Sequence, residues 1–193
     1  TSVEVVQEIG HRFVSIKQPD RARELTVATL DLFAPVLPIT HAVMHRVPDH
    51  LSPAEAALFL PMSNGVQWMY GYGDLKLGDN VVVQGPGQQG LAAAVTAREA
   101  GADKIFVTGL SRDSHRLALA QKLVGAVGID VETENFRDKV MDLTGGKGVN
   151  VVVNVTGGGK GTVAGSVAVA SKARCTIVLA AAGNQQLDVD ALG

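Results

Sequence analysis

The sequence predicts an α/β fold, a doubly wound parallel sheet with helices on both faces, preceded by a short N-terminal, mainly β arm. Three observations carry this. From Asn80 onward, short runs rich in Val and Ile alternate with helical stretches, the rhythm of strand–helix–strand units with right-handed crossovers. Runs such as Val81–Val83 and Ile105–Val107 are apolar on both faces, in agreement with strands that helices cover on both sides. Hydrophobic residues make up 46% of the 193 positions and aromatics only 4%, so the apolar mass is Val, Ala and Leu. The 22 glycines exceed the usual ~7% and supply tight turns.

Residues 1–50 are weakly patterned and form the arm; residues 51–193 form the main domain. Val3, Val5 and Val6, then Phe13, Val14 and Ile16, predict short strands. Leu25 to Leu37 is apolar and ends at Pro35 and Pro38; strand and helix both fit it. Ile39 to Val47 predicts a returning strand before Pro48.

Ser52-Pro53-Ala54-Glu55 is a helix start. The Ser52 hydroxyl can cap a free N–H, Pro53 suits the first helical position, and Glu55 completes a capping box. Helix is expected through Ala54 to Leu60, and a second from Pro61 to about Tyr72. Leu77-Gly78-Asp79 then turns the chain. Strands are expected at Val81–Val83, Ile105–Val107, Val127–Val131, Val149–Val155 and Thr176–Ala180. Between them lie helices at Gln88–Ala100 (Leu91, Ala94, Val95 and Arg98 on one face), Arg112–Val124, Asn135–Leu143 and Gly161–Ser171. Thr144-Gly145-Gly146 stops the third of these. The expected strand order is 3-2-1-4-5, which leaves Thr176–Ala180 at an edge.

Charge and composition exclude several classes. A net charge of −2 gives no broad basic footprint for nucleic acid. The lone Cys175 excludes an internal disulfide and a cysteine-cluster zinc site. A reducing compartment, the cytoplasm, fits it. No charged-then-apolar leader opens the chain. The most apolar stretch, Val149 to Ala170, is interrupted by Asn154, glycines and Lys160, so no membrane span is expected. A start at Thr1 is what processing or a fragment would give.

The chemistry sits after the first strand. Val81-Val82-Val83-Gln84 runs into Gly85-Pro86-Gly87-Gln88-Gln89-Gly90 and then a helix. This is G-x-G-x-x-G in the context that gives it meaning. Gly85 allows the turn out of the strand, Gly87 lets a pyrophosphate approach the backbone, and Gly90 lets the helix pack close. The helix N-terminus offers free N–H groups and positive dipole to phosphate. A plain glycine turn between packed elements is the competing reading. The fold expected is therefore the Rossmann type, and the cofactor NAD or NADP.

An acid at the end of the second strand would bind the adenosine 2′-hydroxyl and repel a 2′-phosphate. Here that position is Gly109, followed by Ser111, Arg112 and, a turn later, Arg116. Arginine suits phosphate, so NADP is the expected preference. Solvated arginines, with Asp113 standing in for the acid, are the alternative. Val155 and Thr156, with Ala180 and Ala182, complete the expected cofactor site at the ends of the fourth and fifth strands.

Other candidates are weaker. His41 and His45 are four apart but have no third ligand near in sequence. His115 is expected on a solvent-facing helix surface. Gly157 to Thr162 imitates a phosphate loop without its spacing. No G-x-S-x-G is present, and Cys175 has only Arg174 beside it.

Residues 47 to about 190 resemble the medium-chain dehydrogenase/reductase superfamily, the alcohol and polyol dehydrogenases. The likeness runs in order through Val47-Pro48-Asp49-His50-Leu51-Ser52, Leu77 to Val83, Gly85 to Gly90, Ala100-Gly101-Ala102, Arg116 to Ala120 and Thr144 to Val153. It implies a Rossmann domain that binds NAD or NADP for hydride transfer between nicotinamide and an alcohol or carbonyl carbon. It also implies a small-molecule substrate. The departures matter equally. The zinc members' ligand position falls on Leu60 or Ser63, and their structural cysteine cluster is absent. The family's threonine near the nicotinamide falls on Gln67. Ala173-Arg174-Cys175 and Ala181 replace glycines around the fifth strand. No zinc is expected and no catalytic residue is identified.

Three functions are compatible with these residues: an alcohol dehydrogenase-type oxidoreductase or its cofactor-binding fragment; a zinc-independent quinone or enoyl reductase; and a non-catalytic dinucleotide-binding module. The apolar, uncharged edge at Thr176–Ala180 predicts a homo-oligomer, a segment covering that edge, or a longer chain.

Overall fold

Five parallel strands form one sheet in the order β3-β2-β1-β4-β5. The computed structural model describes residues 47–157 and 161–181. The arm expected over residues 1–50 lies outside them, apart from residues 47–50, as do His41, His45 and Ala182. The strands are β1 (Val81–Gln84), β2 (Ile105–Gly109), β3 (Val127–Asp130), β4 (Val151–Asn154) and β5 (Thr176–Leu179). The helices are α1 (Pro53–Ala56), α2 (Phe59–Val66), α3 (Gln88–Glu99), α4 (Ser114–Val124), α5 (Phe136–Leu143) and α6 (Thr162–Ala168).

The core follows from the strands' alternation. Val81, Val83, Ile105, Val107, Val151 and Val153 face one side, packing with Ala93, Ala97, Leu117 and Ala120 of α3 and α4. Val82, Phe106 and Val152 face the other, packing with Ile129 and with Val140 of α5. The three central strands are buried at every position, as a sheet covered on both faces requires.

The boundaries differ from expectation where local chemistry intervenes. The capping box at Ser52 forms: Glu55 N–H donates to Ser52 Oγ at 3.3 Å and Ser52 N–H to Glu55 Oε2 at 2.8 Å. Yet α1 lasts only to Ala56, and α2 begins at Phe59, before Pro61 rather than after it. Pro61 sits in the first turn of α2, where its missing N–H has no intrahelical partner to lose. The expected helix to Tyr72 becomes a π-helix from Gln67 to Tyr72, closed by Gly73 N–H on the Trp68 carbonyl at 2.8 Å. This wide turn brings Gly73 against β4; an added Cβ there would stand 3.0 Å from a Val151 methyl.

In α3 the buried positions are Gly90, Ala92, Ala93, Ala94, Thr96 and Ala97, a wider face than the expected one, of which Ala94 is buried and Leu91 and Val95 pack half-buried against the core. The helix is covered twice, by the sheet and by α2. Gly65 of α2 lets the two backbones meet: a Cβ on it would lie 3.0 Å from the Ala92 carbonyl. The helix expected from Arg112 opens as a 3₁₀ turn over Ser111–Asp113 before α4. The expected strand at Val149 is shorter, starting at Val151, with Val149 making an isolated bridge to Ala170.

Candidate functional site

The three central strands share a pattern: three apolar residues, then a polar one, Gln84 in β1, Thr108 in β2 and Asn154 in β4. Register aligns Gln84 with Thr108 on one side and with Asn154 on the other. A polar row thus crosses the carboxyl edge of the sheet, at the point where connections leave β1 and β4 for opposite faces. There ligands bind in open α/β sheets. A cleft of about 800 Å³ opens there, lined among others by Gly85, Pro86, Gly109, Arg112, Phe136 and Thr156.

The glycine loop is built as its residue types dictate. Gly85 has φ +104°, outside the range of ordinary side chains. A Cβ on Gly90 would fall 1.9 Å from the Gly85 carbonyl oxygen, whereas one on Gly87 would meet nothing within 4 Å. Gly90 is therefore fixed by packing. Gly87, the N-cap of α3, keeps open the space in front of the helix. The N–H groups of the first turn of α3 point into that space without intrahelical partners.

Buried amides hold the opposite wall. Gln84 Nε2 donates to the Thr162 carbonyl at 3.0 Å, and Ser166 Oγ lies 3.0 Å from Gln84 Oε1. Asn154 is fully buried. Its Oδ1 accepts from Thr156 N–H at 3.0 Å and from the Thr156 hydroxyl at 2.7 Å, and its Nδ2 donates to Thr162 Oγ1 at 3.0 Å. This network ties the ends of β1 and β4 to the start of α6.

At the far end, Gly109 closes β2 without an acid. A Cβ there would stand 2.9 Å from the Pro86 ring and 3.2 Å from Asp113 Cβ, so the position has no room for one. Arg112 and Asp113 both line the cleft. Asp113 accepts from Leu110 N–H at 3.3 Å and pairs with Arg116 at 3.3 Å. Ser111 is held by two acids: its N–H donates to Glu132 Oε2 at 2.8 Å and its hydroxyl to Asp130 Oδ2 at 2.6 Å. That hydroxyl, and the Glu132 N–H, hold the Asp130 carboxyl below its ordinary value.

Of the residues singled out from sequence, Gly85, Gly109, Arg112 and Thr156 line the cleft. Gly87, Gln88, Gln89, Gly90 and Ser111 are not among its lining residues; Gln88, Gln89 and Gly90 form the first turn of α3, where Gln89 Oε1 accepts from Asn64 at 3.3 Å. Val155 packs on the core. Ala180 donates its N–H to the Asn154 carbonyl at 3.0 Å. Arg116 is turned to Asp113. Sequence reasoning missed Gln84, Thr108, Asn154, Asp130, Glu132 and Phe136. The polar residue closing each apolar run was the available signal for the first three.

Among the described residues no three of His, Cys, Asp and Glu gather to hold a metal. Leu60 is exposed on α2 beside Ser63. Burial pushes the Cys175 thiol up, away from the thiolate that metals and electrophiles need. No helix among these residues is long and apolar enough to cross a membrane.

Fold and cleft define a Rossmann-type domain. No family model matches the chain. It is 40% identical over 114 residues to the D-arabitol-phosphate dehydrogenase of Enterococcus avium, covering 59% of this chain and 32% of that one. It is 39% identical over 139 residues to a probable alcohol dehydrogenase of Mycobacterium tuberculosis, covering 72% and 38%. Among solved structures it resembles the alcohol dehydrogenase TADH from Thermus sp. ATN1, with TM-score 0.64 and 27% identity over 74% of this chain and 41% of that one. The chain belongs to the medium-chain dehydrogenase/reductase superfamily. It spans about a third of the length of the curated relatives it matches, 32% and 38% of these two.

Proposed function

We propose that this chain is the dinucleotide-binding part of an NAD(P)-dependent oxidoreductase of the alcohol dehydrogenase type. The observation that carries the reading is the open space before α3: Gly87 keeps it clear while Gly90 is locked against Gly85. Free N–H groups and helix dipole there suit a pyrophosphate. The cofactor, when bound, supplies hydride transfer between nicotinamide and an alcohol or carbonyl carbon. The chain's own residues bind and orient it. Gly85 to Gly90 take the pyrophosphate, Arg112 stands at the adenosine ribose, and Thr156, held by Asn154, shapes the wall.

With Gly109 in the acid's place and Arg112 lining the cleft, NADP(H) is preferred over NAD(H). The chain itself holds no zinc, because Leu60 and Ser63 stand where the superfamily's zinc members carry a ligand. Substrate, a small alcohol or carbonyl compound, and a cytoplasmic setting follow from kinship alone. The arm at residues 1–50 is the remnant of a catalytic domain, and the protein works as a homo-oligomer or within a longer chain.

Calorimetric titration of the 193-residue chain with NADPH and NADH tests this. One site per chain is expected, with NADPH the tighter. Failure of both to bind would remove the reading, and tighter NADH would remove the preference. Elemental analysis of chain purified without chelator should show far less than one zinc per molecule.

A further inference from the structure

The geometry points to Glu132 as the residue that limits this chain's preference for NADP(H), by occupying the Ser111 backbone N–H that a 2′-phosphate would take. This rests on the dinucleotide reading of the cleft.

The acid missing from the end of β2 is not missing from the site. Asp130, the last residue of β3, is the register partner of Gly109, the last of β2. A carboxylate therefore stands at the same level, one strand over. It is braced to a second: Asp130 Oδ1 accepts the Glu132 N–H at 3.0 Å. The two carboxylates take both donors of Ser111, the N–H going to Glu132 at 2.8 Å and the hydroxyl to Asp130 at 2.6 Å. Val131, between them, donates its N–H to the Gly109 carbonyl at 3.0 Å and lines the cleft. The turn after β3 is thereby fastened to the residues that surround the adenosine ribose.

A phosphate at that ribose is drawn by Arg112, which makes no ion pair among the described residues. It meets Glu132 already seated on the neighbouring N–H. To use that N–H it must displace a carboxylate, and to sit beside it must accept like-charge repulsion. An unphosphorylated ribose faces neither cost. Asp130 lies behind Ser111 and keeps its charge through the neutral range, so the turn stays braced when Glu132 is altered.

Glu132→Gln isolates the charge, because the amide oxygen still accepts the Ser111 N–H. Titration of the full chain with NADPH and with NADH, at low and at high salt, reads the effect. The variant should bind NADPH roughly tenfold more tightly, because the like-charge repulsion is gone and a neutral amide, not a carboxylate, is left to displace from the Ser111 N–H. NADH affinity should stay within about twofold, and the gain should shrink at high salt because the group is exposed. Glu99→Gln, an exposed acid at the far end of α3, removes the same charge away from the cleft and should leave the ratio unchanged. If both cofactors bind the native chain and Glu132→Gln leaves their ratio as it was, Glu132 does not discriminate, while the dinucleotide reading stands. An equal shift from Glu99→Gln would reduce the effect to net charge and overturn the proposal. If neither cofactor binds the native chain, the reading of the cleft fails and this inference with it.

Discussion

Gly87 and Gly90 differ by three residues and do opposite work. A side chain on Gly87 meets open space, and its φ of −70° suits any residue. Gly87→Val should therefore fold with stability within ~0.5 kcal/mol of the native chain, yet lose dinucleotide binding, since the methyls fill the pyrophosphate's place. Undiminished affinity in the folded variant would show that the phosphates lie elsewhere. Gly90→Ala instead drives a methyl into the Gly85 carbonyl at 1.9 Å. It should cost about 3 kcal/mol in urea unfolding, the upper range of overpacking. Arg112→Ala should weaken NADPH about tenfold, one lost charge-assisted hydrogen bond, and spare NADH in the same titration. The backbone form of the glycine loop was legible in the sequence because the turn at Gly85 and the close packing at Gly90 follow from residue type and spacing within one loop. Asp130 and Glu132 were not. They act on Ser111 from 19 and 21 residues away, and only the β2–β3 register brings them there.

The elements themselves were readable where one local signal decides. Strand existence came from β-branched runs, and strand order from the doubly wound pattern. Ends were harder. Pro61 lies inside a first turn, and the π-helix at Gln67–Tyr72 sets Gly73 against Val151 of β4, a tertiary contact no window of sequence contains. The ends of β1 and β4 have their own logic. Gln84 and Asn154 terminate apolar runs because their amides are spent holding α6 and the turn at Thr156. Asn154→Leu removes three hydrogen bonds at a fully buried site and should destabilise the domain by ~2–3 kcal/mol. Hydrogen exchange at Thr156 should quicken, and dinucleotide affinity should fall with it. A variant as stable as the native chain, with Thr156 equally protected, would show that the network does not order this wall.

At the scale of the whole molecule the question is β5. It pairs with β4 alone among the described residues. Thr176 and Ala180 give their N–H groups to the Asn150 and Asn154 carbonyls, at 2.9 and 3.0 Å. By alternation the N–H groups of Ile177 and Leu179 face away from the sheet. The strand is Thr-Ile-Val-Leu, without charge or proline, the devices that blunt an edge. Lys172 and Arg174 lie before it, and Arg174 is committed to Asp79, with 2.7 and 2.5 Å to its two oxygens. An edge of this kind favours pairing with a second copy of the chain. The probe must respect the burial pattern. Val178 is 8% exposed and faces the core, so a lysine there would unfold the domain, whereas Leu179 is 47% exposed and tolerates one. In the native chain the amides of Ile177 and Leu179 should exchange slowly, and light scattering should show mass rising with concentration. Leu179→Lys should leave the melting curve in place, shift self-association at least tenfold toward the monomer, and expose both amides. Slow exchange in a monomer at every concentration would mean that the chain covers the edge itself. Fast exchange at both amides in the native protein would show an open strand and refute the prediction.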